Sequence, residues 1–406
     1  MSFRYIKVKT KGQIEGEKLL VPKLRFKEFH NKWIKLRLKD ISNDISYGMN
    51  SAATDFDGIN KYIRITDINE DTSLYNNSNP VSPSGYLDDK FLLQENDILF
   101  ARTGASTGKT YLYNKDDGKL YFAGFLIRAS IKKDYNSRFV FEQTKLNKYN
   151  NWVKIMSMRS GQPGINSTEY GNYEISITNS EEQEKIAKFV SLLDKKIELQ
   201  QRRIEALKIY KRGLIQRIYN RTWNNKIKME EILIQKSIRN TNDEIHNVYS
   251  VSNKDGFILQ TEQFKDRIVA SEDTRNYKVV VKNDFAYNPA RINVGSIARM
   301  KQDIKGIISP MYICFKCNEK ILPEYLEYFF ESSKFTYEMS KRLEGSVRMC
   351  LSYESMLNIP IELPNKNEQE KISTFLNSLS NKIKLEEKKF TELNKLKKGL
   401  LQKMFI

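Results

Sequence analysis

The stretch EQEKIAKFVSLLDKKIELQQRRIEALKIYKRGLIQRIY, residues 182–219, organises this chain because it occurs twice. Residues 368–405 read EQEKISTFLNSLSNKIKLEEKKFTELNKLKKGLLQKMF, and a constant offset of 186 aligns the two copies without a gap. Glu182 through Ile186 recur as Glu368 through Ile372; Phe189, Leu193, Lys196, Ile197, Leu207 and Gly213-Leu214 recur as Phe375, Leu379, Lys382, Ile383, Leu393 and Gly399-Leu400. Such self-similarity marks one structural unit used twice.

Both copies carry apolar residues at alternating spacings of four and three. The first seam is Ile186, Val190, Leu193, Ile197, Ile204, Leu207, Leu214 and Ile218; the second is Ile372, Leu376, Leu379, Ile383, Phe390, Leu393, Leu400 and Met404. Polar exceptions fall at matching places, Gln200 with Glu386 and Lys211 with Lys397. A sustained seam of this period predicts two long helices that pair as a coiled coil, and polar seam residues specify register. Two amphipathic helices that each cover their own domain would give a similar pattern.

The helices, 179–220 and 365–406, follow two globular stretches, 22–178 and 221–364. Runs rich in aromatic and β-branched residues, KYIRITDI (61–68), DILFAR (97–102), KLYFAGFLIRASI (119–131), KVVVKNDFAYN (278–288) and GIISPMYICFK (306–316), predict α/β domains of the α+β kind with mainly antiparallel sheet. Asn96-Asp97-Ile98 is echoed by Asn283-Asp284-Phe285, and 157–177 by 341–363. The predicted fold is therefore two mixed α/β domains, each followed by a long helix. The helices would pair antiparallel with pseudo-twofold symmetry, placing the domains at opposite ends of the coil. About 38 helical residues at ~1.5 Å rise span roughly 57 Å. DNA repeats its groove about every 34–36 Å, so such a spacer would set two readers on separate groove segments and predicts a bipartite, non-palindromic target.

Composition agrees with that direction. Of 406 residues, 68 are Lys or Arg and 50 are Asp or Glu, a net charge of +18 that suits a polyanion partner, nucleic acid above all, although a lysine-rich solvated surface would also produce it. With 40% apolar residues the chain folds rather than remaining disordered. Three cysteines argue against a disulfide framework and for a reducing compartment. No apolar run approaches the ~20 residues of a membrane span, and the N-terminus lacks a signal core, so a soluble, cytoplasmic protein is expected.

Catalytic patterns fail one by one. RTGASTGKT (102–110) resembles a nucleotide-binding loop, but Gly104 and Gly108 enclose three residues where a P-loop has four. The sequence after it reads as a strand, not as the phosphate-holding helix. Two histidines, His30 and His246, exclude a multi-histidine metal site. Cys314 and Cys317 lie in a strand-like run with no second CxxC, and read as strand cysteines. Asn288-Pro289 hints at an adenine methyltransferase motif that Ala290 and Arg291 break, and no Pro-Asp pair opens a nuclease pattern.

What remains suits DNA. The candidate contacts are Arg102, Thr103, Ser106, Lys109, Arg159, Ser160 and Gln162 in the first domain, and Asn288, Arg291, Asn293, Ser296, Ser346 and Arg348 in the second. Arginine pairs bidentately with guanine, Asn and Gln with adenine, while Lys, Ser and Thr hold phosphates. Lys109 would be a phosphate contact. Each could equally be an ordinary solvated surface residue.

The repeated EEQEKI…IQRIY segments resemble the paired conserved regions of type I restriction–modification specificity subunits. RTGASTGKT and RSGQPGIN are similar to stretches of that family's target recognition domains. The resemblance covers nearly the whole chain in the order recognition domain, helix, recognition domain, helix; residues 1–21 form an N-terminal extension outside it. It implies a chain without catalysis or bound cofactor of its own. Such a chain would bind double-stranded DNA and dock two methyltransferase subunits that use S-adenosylmethionine. It would also admit restriction subunits that use ATP and Mg. Two alternatives stand beside this: a coiled-coil regulatory or nucleoid DNA-binding protein without enzyme partners, and an ATP-binding enzyme using residues 104–110. Inserting one helical turn at the same place in both copies should lengthen the unread spacer and leave both half-sites unchanged. Methylome sequencing reads this directly, and altered half-sites would overturn the spacer role.

Overall fold

The computed structural model describes residues 3–5, 21–158, 161–253, 255–263, 273–345 and 349–406. The chain forms two compact units: Met1–Leu199 with Lys389–Ile406, and Gln200–Lys388. The division falls inside both long helices, so each unit holds one globule, the start of the helix that follows it, and the end of the other helix.

In the first unit, strands β1 (Ile34–Arg37), β2 (Ser42–Tyr47), β3 (Lys61–Ile63), β4 (Asp97–Ala101), β5 (Thr110–Leu112), β6 (Leu120–Phe122), β7 (Leu126–Ile131) and β8 (Glu174–Ile177) carry the fold. Short helices α1 (Ser137–Gln143), α2 (Asn147–Met156) and α3 (Ser167–Gly171) precede the long α4 (Ser180–Tyr219). A central antiparallel sheet has the order β2-β7-β4-β5, β3 pairs parallel with β6, and the last strand β8 closes on β1.

The second unit repeats this plan with β9 (Lys226–Lys228), β10 (Leu233–Lys236), β11 (Val248–Ser252), β12 (Phe285–Tyr287), β13 (Ile297–Arg299), β14 (Gly306–Ile308), β15 (Ile313–Cys317) and β16 (Pro360–Glu362). Its helices are α5 (Pro323–Phe330), α6 (Ser333–Ser340), α7 (Tyr353–Leu357) and the long α8 (Lys366–Met404). The sheet order is β10-β15-β12-β13, β11 pairs parallel with β14, and β16 closes on β9. The expected tandem of mixed α/β domains is what forms. The runs 119–131 and 306–316 each break at a turn into two strands.

Alternation along the central strands explains why β4 is buried along its whole length. Ile98 and Phe100 join Ile127 and Ala129 in the core beneath the helices, while Leu99 and Ala101 join Leu126 and Phe122 in a second core on the other face. In the second unit Phe285, Tyr287 and Phe315 face the helices, and Ala286 and Cys314 face away. Cys314 is thus a core strand residue; burial pushes its thiol up to about 12, and that of Cys317 to about 11. The Asn-Asp echo has a backbone reason. Asn96 and Asn283 adopt left-handed φ of 75° and 71°, and the next residue's carboxylate accepts from a preceding amide, Gln94 to Asp97 and Val281 to Asp284, both at 2.8 Å.

The repeated Gln of EQEKI also has a matching task in both units. Gln183 accepts from the amide of Asn136 at 3.0 Å, and Gln369 from that of Leu322 at 2.8 Å; these are the residues just before α1 and α5. Asn179 and Asn365 cap the long helices by accepting from Glu182 and Glu368 at 3.1 and 3.0 Å.

The helix pieces run antiparallel within each unit. Asp194 pairs with Lys397 at 2.6 Å in the first; Gln200 donates to Glu386 at 2.7 Å and Lys208 pairs with Glu387 at 2.8 Å in the second. Seam lysine Lys211 pairs with Glu331 at 2.9 Å. Ile186, Val190, Ile204, Leu376, Leu379, Ile383 and Met404 are buried, and the other seam residues are half-buried. At the helix ends the buried stripe moves one position on, to Ile215 and Tyr219 in one copy and Leu401 and Phe405 in the other. Straight helices drift from a strict heptad in this way. Gln183→Ala and Gln369→Ala should each destabilise their own unit by about 1–2 kcal/mol, because each leaves a half-buried amide without its partner. Exposed Lys188→Ala should cost under about 0.5 kcal/mol; urea melts and amide exchange at Asn136 and Leu322 check both.

Candidate nucleic-acid interface

The 102–109 segment joins β4 to β5 as a hairpin loop. Gly108 donates to the Ala101 carbonyl at 3.0 Å, and Ala101 to the Lys109 carbonyl at 2.8 Å. Between them Gly104–Ser106 makes a single 3₁₀ turn. Gly108 has φ +90°, and a Cβ there would stand 2.5 Å from Cγ1 of Val153, so only glycine fits. A second segment ties down the loop's other side: Gly104 donates to Pro163 O and Ile165 to Arg102 O, both at 2.9 Å. The amides of Gly104, Thr107, Gly108 and Lys109 are all spent on carbonyls of the protein. A nucleotide loop would turn such amides toward phosphate and lead into a helix; here a strand, β5, follows.

The loop brings some expected residues together. Arg102 is half-buried, its guanidinium 4.7 Å from the Tyr47 ring centroid and its Nη1 3.5 Å from Gly124 O. Thr103 bridges Gly164, and exposed Gln162 lies over Gly104, so Arg102, Thr103 and Gln162 share one edge. Ser106 is half-buried, its carbonyl accepting from Lys109 N at 3.1 Å. Lys109 Nζ stands 3.5 Å from Glu70, whose side chain is 81% exposed, a weak surface pairing. Arg159 and Ser160 lie outside the described residues.

In the second unit Asn288 follows β12 as Arg102 follows β4. Its side chain accepts from Ala290 N at 3.1 Å and caps the 3₁₀ helix Pro289–Val294. Arg291 and Asn293 project from that helix and are exposed. Ser296 is 2% exposed and sits in the closing turn, where its amide donates to Arg291 O at 3.1 Å, so it is withdrawn from the surface position expected of it. Ser346 and Arg348 lie outside the described residues.

Arg102 opens onto a feature that the sequence reading missed, a groove of about 680 Å³ walled by Tyr47, Tyr62, Arg64, Thr66 and Phe125. Its floor is backbone on backbone: a Cβ on Gly48 would stand 2.2 Å from Ala123 O. The Ala123-Gly124 pair inside an otherwise β-like run was the available signal of a turn there. Among the described residues no group of three or more His, Cys, Asp and Glu is placed to hold a metal ion, and no helix is long and apolar enough to cross a membrane.

Comparisons with known proteins agree on one family. The family described as type I restriction modification DNA specificity domain matches twice, over residues 30–208 and 226–395. The specificity subunit of the type I restriction enzyme MjaVIII from Methanocaldococcus jannaschii is 24% identical over 351 residues, covering 77% of this chain and 79% of that one. Two solved structures share the fold. A type I restriction–modification S subunit from M. genitalium has a TM-score of 0.56 at 16% identity, covering 95% of this chain and 99% of that one. A chain from a study of type I restriction–modification complex assembly has a TM-score of 0.56 at 14% identity, covering 92% and 97%.

Proposed function

Because this chain belongs to the family of type I restriction–modification DNA specificity subunits, which are not themselves catalytic, we propose that it reads a bipartite, asymmetric target in double-stranded DNA. Each unit reads one half. One observation carries the reading: the two units repeat one strand topology yet present different chemistry beyond the same strand, Arg102 with Gln162 beyond β4, exposed Arg291 and Asn293 beyond β12. Arginine suits guanine and asparagine suits adenine, so equal scaffolds with unequal tips yield two unlike half-sites. The +18 net charge supplies non-specific attraction to phosphate.

On this reading the long helices dock two methyltransferase subunits, and S-adenosylmethionine, ATP and Mg belong to the partner subunits. Support for docking comes from Gly213 and Gly399, which fall at equivalent places on exposed helix surface. A Cβ at either would meet nothing within 4 Å. Glycine inside a helix costs roughly 0.5–1 kcal/mol against alanine, and nothing within the described chain calls for it. Close approach of another chain does.

Methylome sequencing of cells with and without the gene should show one bipartite motif that depends on it. Arg102→Ala should relax or abolish the first half-site only, and Asn293→Ala the second; loss of both halves from either change would count against modular reading. Gly213→Leu and Gly399→Leu should leave the helices at least as stable in thermal melts while weakening copurification of the methyltransferase. Undiminished copurification would remove the docking role of these positions.

A further inference from the structure

Each unit holds one large apolar side chain out at the corresponding surface turn. In the first, residues 123–126 form a turn between β6 and β7, closed by Leu126 N donating to Ala123 O at 2.8 Å. In the second, residues 309–312 form the turn between β14 and β15, closed by Tyr312 N donating to Ser309 O at 3.1 Å. The third residue of the turn is Phe125 in one and Met311 in the other, 64% and 61% exposed. Turns of this kind ordinarily carry Gly, Asn, Asp or Ser there. A lone exposed apolar residue needs no explanation. The same turn position filled by an exposed apolar residue in both copies, while the side chains around it diverge, does.

Both turns are held rigidly. In the first, Ala123 donates to Ile63 O at 3.0 Å, Gly124 to Met49 O at 2.8 Å, and Arg102 to Phe125 O at 3.1 Å. In the second, Pro310 sets the backbone angle and Lys278 Nζ donates to Tyr312 O at 2.6 Å. These bonds fix where each turn, and so the Cβ of Phe125 or Met311, stands. Phe125 is moreover the cross-strand neighbour of Arg102, and both line the groove.

We propose that Phe125 and Met311 are wedges that enter the DNA stack, one in each half-site, partly unstacking a base step next to the bases that Arg102 and Asn293 read. Phe and Met belong to the side chains that proteins insert between base steps, and the unstacking bends the duplex onto a larger protein surface. A residue contacting only phosphate would be polar. The inference rests on the DNA-reading function above and adds deformation of the DNA to it.

The test uses the full-length chain with the subunits that copurify. The ligand is a duplex selected by that complex from a randomised pool, carrying 2-aminopurine at successive positions other than the methylated adenines. Binding should raise fluorescence at one step in each half-site. Phe125→Ala should abolish the rise in the first half only and weaken binding about ten-fold, with Met311→Ala acting on the second. Phe125→Leu should retain most of both effects, and thermal melts of all variants should match the parent because the side chains are exposed. If the parent discriminates its site while Phe125→Ala matches it in affinity and fluorescence, the wedge is overturned and the reading function stands. Weakened binding without any fluorescence change in the parent would also overturn it, as a surface contact rather than an insertion. A parent complex that discriminates no duplex would overturn the reading function, and the wedge with it.

Discussion

Phe405 lies with its ring centroid 5.1 Å from Phe139 and 6.1 Å from Trp33, and Tyr219 lies 5.0 Å from Tyr325 and 5.7 Å from Phe329. These contacts are the constraint on which the rest depends. Each globule's core is finished by the last turn of a long helix that does not follow it in the chain. Leu401, Met404 and Phe405 join the core of the first unit, and Ile215 and Tyr219 that of the second. Truncating a buried aromatic of this kind costs roughly 3–5 kcal/mol, a large fraction of a domain's margin. The start of each helix is fixed as firmly, by the glutamine that satisfies the amide before the first short helix. With both ends anchored, the polar seam residues are confined to one register. Gln200 and Glu386 meet there because they are the same position of the repeat.

The exposed loops take their order from backbone pairing within each globule. The hairpin 102–109 has few amides to spare, and its glycines serve packing and close backbone approach rather than phosphate binding. What it presents is one guanidinium laid against Tyr47 and an edge shared with Gln162. The second unit uses the same strand end differently, since Asn288 already caps a short helix and leaves Arg291 and Asn293 facing solvent. Equal scaffolds thus deliver unequal surfaces.

Much of the architecture was legible because it is periodic. The seam, the paired polar exceptions and the Asn-Asp echo are local or repeated patterns, and the structure realises them. Less legible were places where two distant segments meet. The seam's step to Ile215 and Tyr219 follows the drift of a straight helix from the heptad, but which globule it fills is set by packing. The run 119–131 does not show where its turn falls, because Ala-Gly-Phe is apolar in character and the break is imposed by backbone pairing to Met49 and Ile63. Ser296 looks like a surface hydroxyl in sequence but closes a turn at 2% exposure.

By itself, then, the sequence determined the tandem unit, the antiparallel helix pair and the strong net positive charge, since repeat, period and composition are one-dimensional properties. Only the tertiary structure decided which helix end completes which core, which candidate residues share an edge, and that Phe125 and Met311 stand out from matching turns. Those outcomes depend on long-range backbone pairing and side-chain packing, where partners tens to hundreds of residues apart compete for the same space.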